Sequence, residues 1–90
     1  MDIISHYVYI LRCADGSLYT GYTTDPPRRL KEHNAGIAAK YTRGRLPVNM
    51  VYIEEQESRS DALKREYALK QLTRQKKLDL IRRKEDANEK

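Results

Sequence analysis

The sequence predicts a small α+β domain in the order strand, strand, helix, loop, strand, helix, helix. Three observations predict it. Two runs of β-forming residues flank an Asp15-Gly16 turn. A helix is bracketed by Asp25-Pro26 at one end and Gly36 at the other. A third apolar run, Val48–Ile53, then leads into a capping-box-like start at Ser58 and Asp61. Ninety residues suffice for one domain with one modest core. That domain is read as residues 1–83. The polar stretch 84–90 is read as a flexible tail.

Each element follows from local chemistry. The first strand is expected near Tyr7–Cys13 and the second over Leu18–Thr23. The loop between them admits two geometries. A two-residue turn at Asp15-Gly16 pairs Ala14 with Ser17 and puts Tyr9 and Tyr19 on opposite faces. A three-residue loop, Ala14-Asp15-Gly16, with Gly16 left-handed, pairs Cys13 with Ser17 and puts both phenols on one face. Asp25 is a suitable N-cap for the first helix, Pro26 suits its first turn, and Gly36 stops it. Residues 37–47 read as a basic loop ending at Pro47. The second long helix runs from Ser58 to about Leu72. Thr73 caps a final helix with Leu78 and Ile81 on one side. No internal repeat is present.

Composition narrows the function. No apolar run reaches the roughly 20 residues of a membrane helix, and no secretory signal pattern is evident at the N-terminus. The single cysteine, Cys13, cannot form an internal disulfide and fits a reducing cytoplasm; in a strand it reads as a small buried hydrophobe. The net charge is +5. Residues 28–47 hold Arg28, Arg29, Lys31, Lys40, Arg43 and Arg45 against Glu32 alone, a net of +5, with Tyr41 interleaved. The flanking segments cancel, at −2 and +2. A solvated basic loop is the plain reading of such a run. A footprint for a phosphate backbone is the functional one.

Arg29 and His33 are four apart and therefore neighbours on one helix face. Glu66 is unusual. With Ala62 at 0° on a helical wheel, Leu63 lies at about 100°, Tyr67 at about 140°, Leu69 at about −20° and Leu72 at about −80°. Glu66 then falls at about 40°, inside the apolar arc, with Lys70 beside it at about 80°. Either the two form an ion pair at i, i+4, or the carboxylate faces over the sheet to hold a metal ion. Taken singly, each tyrosine reads as strand packing and the Arg29–His33 pair as a helix surface. Two phenols, a guanidinium, an imidazole and a carboxylate together can hydrolyse a phosphodiester.

The chain resembles the GIY-YIG nuclease superfamily over roughly residues 5–82, most of all its small stand-alone bacterial members and also the Slx-type endonuclease domain. The triplets are Tyr7-Val8-Tyr9 and Tyr19-Thr20-Gly21. The stretch 21–34, containing Arg28-Arg29 and His33, resembles the family's arginine helix. Residues 39–47 resemble the loop of the stand-alone group, and Ala62-Leu63-Lys64-Arg65-Glu66 the helix of the metal-binding glutamate. Tyr7 stands where the signature has its first glycine, and Val8 and Thr20 replace its isoleucines. The late asparagine of some members has no counterpart, since Asn88 lies in the polar tail.

The resemblance implies a three-stranded antiparallel sheet flanked by helices. It implies an endonuclease, structure-selective or weakly sequence-specific, acting on DNA ahead of RNA, with a place in DNA repair. Tyr9, Tyr19, Arg29, His33 and Glu66 would be catalytic, and Glu66 would hold one Mg²⁺ or Mn²⁺. Arg28, Lys40, Tyr41, Arg43, Arg45 and Lys70 would bind nucleic acid, and Tyr7 and Gly21 would shape the site. The rival expectations are an inactive nucleic-acid-binding module of the same fold and a basic protein that docks on a larger complex.

Overall fold

The structure is a computed structural model that describes residues 4–88. Its elements are β1 (His6–Arg12), β2 (Leu18–Thr23), α1 (Pro26–Asn34), α2 (Lys40–Arg43), β3 (Asn49–Gln56), α3 (Arg59–Lys70) and α4 (Arg74–Asn88). The sheet is antiparallel with order β2-β1-β3. The predicted three-stranded α+β architecture is therefore observed, with one addition: the basic loop contains the short helix α2.

The central position of β1 explains its unbroken apolar sequence. Val8 and Ile10 face one layer, with Ala62 and Leu69 of α3 and Ile81 of α4. Tyr9 and Leu11 face the other, with Leu30 of α1 and Leu46, Val48, Met50 and Ile53. A strand buried on both sides has no polar alternation to show. A bulge on β3 keeps the layers in register. Ile10 pairs with Tyr52 and Leu11 with Met50, so Val51 is the extra residue. Met50 and Ile53, three apart, can then serve the same layer.

The hairpin takes the three-residue loop. Tyr9 pairs with Gly21 and Leu11 with Tyr19. The Cys13 N–H donates to the Ser17 carbonyl at 2.9 Å, and Gly16 has φ +85°. Asp15 accepts from the Ser17 N–H at 3.0 Å and holds the loop closed. Helix α1 begins and ends as predicted. Asp25 accepts from the Arg28 N–H at 3.2 Å. At the other end, Gly36 donates to His33 and Ile37 to Glu32, at 3.0 and 3.1 Å, the paired bonds of a Schellman cap. The chain reverses there and returns as α2. Asn34 fixes the return, accepting from the Val48 N–H at 2.8 Å and donating to its carbonyl at 3.0 Å.

The expected tail is corrected over most of its length. Helix α4 continues through Asn88, and Lys84 donates to the Ile53 carbonyl at 2.8 Å. A charge-rich composition set the boundary too early, because side chains such as Lys84 can find partners in the sheet. Residues 89–90 lie outside the described residues. The left-handed Gly16 gives a direct check. Gly16→Ala should cost about 1–2 kcal/mol, the strain of placing Cβ at positive φ, read as a lower urea midpoint at unchanged slope.

Candidate active site

The register places Tyr9 and Tyr19 on one face of the sheet as diagonal neighbours. Tyr9 is 1% exposed, and its ring lies across Gly21. A Cβ on Gly21 would stand 2.5 Å from Tyr9 Cζ and collide with the phenol oxygen. Glycine is thus required here for close approach of a side chain. Tyr7, two residues earlier on the same face, lines an apolar cleft with Pro26, Pro27 and Leu30.

His33 comes to the same spot from α1. It is fully buried, and its Nε2 is hydrogen-bonded to the Tyr9 hydroxyl at 2.8 Å. On the other side of the ring, Nδ1 is hydrogen-bonded to Thr42 Oγ1 of α2, also at 2.8 Å. Thr42 is likewise buried, and its hydroxyl donates to the Ala39 carbonyl at 3.2 Å. The sequence reading missed Thr42. No signal in a basic loop marks one threonine as buried, because the burial depends on the turn at Gly36.

Tyr19 packs its ring edge-on to His33 at 5.3 Å and stacks on Tyr41 at 5.9 Å. Arg45 lies 4.0 Å above the outer side of Tyr41, donates to the Tyr41 carbonyl at 2.7 Å and pairs with Asp15 at 3.1 Å. The Arg45 and Tyr41 side chains are therefore engaged within the protein. Lys40 and Arg43, exposed on α2, have no ion pair among the described residues. Arg28 is exposed and only 4.0 Å from Glu32.

Arg29 anchors the charge of the site. It donates to Glu32 at 3.0 Å and to the Ala38 carbonyl at 3.3 Å. Its Nε is buried with no hydrogen-bond partner among the described residues. The guanidinium acts directly on Tyr9. Burial pushes the phenol up to about 12, against the pull of Arg29, with the charges of Tyr19 and Glu66 adding to the rise. Burial and the Arg29 charge push His33 below its ordinary 6.5. The phenol and imidazole are thus both neutral at pH 7. The proton between them therefore rests on Tyr9, and added cations would favour its transfer.

Glu66 comes to the site from α3, and its link to the tyrosines is electrostatic. Helix α3 packs Ala62 and Leu69 on the opposite layer. Leu63 and Tyr67, which widened the predicted arc, are 40% and 69% exposed. The buried stripe is centred on Ala62 and Leu69, and Glu66 falls at its margin. There its half-buried carboxylate pairs with Lys70 at 3.3 Å. Its charge still reaches Tyr9, whose phenol it helps to raise. Among the described residues no three His, Cys, Asp or Glu side chains converge on one point. A divalent ion held by Glu66 would complete its shell with phosphate and water, a donor set that suits Mg²⁺.

The fold agrees with the comparisons. The GIY-YIG catalytic domain family matches residues 5–79, and the chain belongs to that family. Among its relatives are a UPF0213 protein of Haloquadratum walsbyi, 57% identical over 93% of this chain and 94% of the relative, and one of Staphylococcus aureus, 59% identical over 87% and 95%. The solution NMR structure of a UPF0213 protein from Bacillus halodurans is 52% identical, with a TM-score of 0.56 over 87% of this chain and 83% of that one. No helix among the described residues is long and apolar enough to cross a membrane.

The buried imidazole predicts a pH dependence. The folded pKa of His33 lies below the unfolded value, so the unfolded chain binds the proton first. Stability is full above pH 6.5 and falls as pH drops below it. The slope from this group is at most about 1.4 kcal/mol per pH unit. Thermal melts at pH 7.5 and 5.5 should show the loss, and His33→Gln should reduce the difference between them.

Proposed function

We propose that this protein is a metal-dependent endonuclease that hydrolyses phosphodiester bonds, in DNA ahead of RNA, with structure-selective or weakly sequence-specific action. The observation that carries the reading is the buried Tyr9–His33 hydrogen bond beside Arg29 and within electrostatic reach of Glu66. Such a phenol has a proton acceptor on one side and a cation next to it. The basic surface of α2 and the family support a nucleic-acid substrate. The lone buried Cys13 suits a cytoplasmic setting, and action in DNA repair or recombination goes with this reading.

Each side chain takes a role set by its chemistry. Tyr9 orients the attacking water and takes its proton, while passing its own to His33. Arg29 stabilises the negative charge that builds on the phosphoryl oxygens, using a donor that the fold leaves unspent. Tyr19 supports the imidazole by packing. Glu66 would hold one Mg²⁺ or Mn²⁺, which supplies Lewis-acid stabilisation of the phosphate and leaving oxygen when bound. Lys40 and Arg43 are free to follow the backbone; Arg28 is nearly so. Lys70 would bind phosphate only after giving up Glu66.

One observation favours a rival, a nucleic-acid-binding module without turnover: the carboxylate of Glu66 already has a partner in Lys70. Glu66→Gln separates the two. A metal ligand predicts a folded variant that binds nucleic acid at least as well and has lost divalent-dependent nicking. A mere ion pair predicts intact nicking and a stability loss of about 0.2–0.5 kcal/mol. Wild-type cleavage by the variant would remove Glu66 from the site.

Salt dependence tests the footprint. Each neutralised phosphate contributes about −0.9 to the log–log slope on duplex DNA. Lys40→Ala with Arg43→Ala should flatten the slope by about two. Arg45→Ala should change it by less than one, because Asp15 and Tyr41 already engage that side chain. Equal effects from both variants would show that Arg45 leaves its partners on binding.

A further inference from the structure

We infer that Thr42 is a positioning residue, which holds His33 as the Nδ1–H tautomer and so keeps Nε2 an open base aimed at the Tyr9 hydroxyl. The argument is one of proton counting along a buried chain. Its far end is the Ala39 carbonyl, which can only accept. Thr42 has one hydroxyl hydrogen, and that carbonyl, 3.2 Å from Oγ1, is an acceptor for it. With that hydrogen given to the carbonyl, Thr42 Oγ1 meets His33 Nδ1, 2.8 Å away, as an acceptor. Nδ1 carries the hydrogen, Nε2 does not, and the Tyr9 O–H must be the donor across the next 2.8 Å.

The reverse polarity fails on the same count. A Thr42 hydroxyl turned toward Nδ1 would leave Nε2–H donating to Tyr9. The Tyr9 hydrogen would then be buried with no other acceptor in hydrogen-bond contact among the described residues. The Arg29 charge beside the phenol also favours an O–H turned away from it. The chain has a functional consequence. When Tyr9 passes its proton to Nε2 and takes one from water, the imidazole gains one proton, and a hydroxide equivalent is released for attack. Thr42 cannot carry that proton onward, because its own hydrogen points to a carbonyl. His33 stores the proton and must return it through Tyr9.

The catalytic part of this inference rests on the nuclease reading, whereas the tautomer does not, so the test reads both. Long-range ¹H–¹⁵N correlations on the labelled full chain at pH 7.5 report which ring nitrogen of His33 is protonated. Nδ1–H is expected in the wild type and in Thr42→Ser, and a mixed or inverted tautomer in Thr42→Val. Nicking by Thr42→Val should fall about 10- to 100-fold at unchanged nucleic-acid affinity, and Thr42→Ser should restore it. Wild-type Nε2–H overturns the proposal outright, with or without turnover. So does Thr42→Val that keeps Nδ1–H. Should Thr42→Val fail to fold, Thr42→Ala is read in the same way. A wild type with no nicking but with Nδ1–H, lost in Thr42→Val, supports the positioning role and removes the nuclease reading instead.

Discussion

A buried tyrosine hydroxyl must find a partner, and much of this fold is arranged around that demand. Tyr9 sits on the central strand, with Leu11, Val48 and Leu30 nearby. Leaving its hydroxyl unpaired there would cost about 1–3 kcal/mol, a large share of the stability of so small a domain. His33 supplies the partner, but a buried imidazole has a second nitrogen to satisfy. Thr42 satisfies that one, and the Ala39 carbonyl satisfies Thr42. One polar obligation on β1 thus fixes the positions of α1 and α2.

The devices that bring these elements together are local. The Schellman cap at Gly36 turns the chain so that α2 lies against α1. Asn34 ties the end of α1 to Val48 at the entry to β3. Gly21 leaves room for the hydroxyl end of the Tyr9 ring against the neighbouring strand. The outer wall is a stack in which Arg45 covers Tyr41, Tyr41 covers Tyr19, and Tyr19 meets His33. Asp15 in the hairpin loop holds Arg45 at the top of that stack. The hairpin and the basic segment are thereby coupled through aromatic faces.

The same packing poses the chemical problem of the site. Burial raises the phenol and lowers the imidazole, so both rest neutral and a proton between them stays on Tyr9. A base of this kind is quiet until cationic charge is added near the phenol. Arg29 supplies part of that charge within the fold. Glu66 on α3 adds negative charge within reach of the phenol and is itself paired with Lys70.

The sequence by itself determined the elements other than α2, their order, and the tyrosines, arginine and histidine that the structure brings together. Turn and cap residues act within a few positions, so Asp25, Gly36, Ser58 and the bounds of β2 were legible in one dimension. The charge excess of residues 28–47 and the spacing of Arg29 and His33 were equally local, and the two triplets with their family resemblance named the phenols. Only the tertiary structure decided between the two hairpin loops, because both satisfy the same residues and differ in which faces are buried. It alone narrowed the apolar arc of α3, since Leu63 and Tyr67 look like core in the sequence and are exposed in the fold. Thr42 was illegible for the same reason. Its role is set by a histidine nine residues earlier, and no pattern along the chain records that the turn between them brings the two side chains into contact.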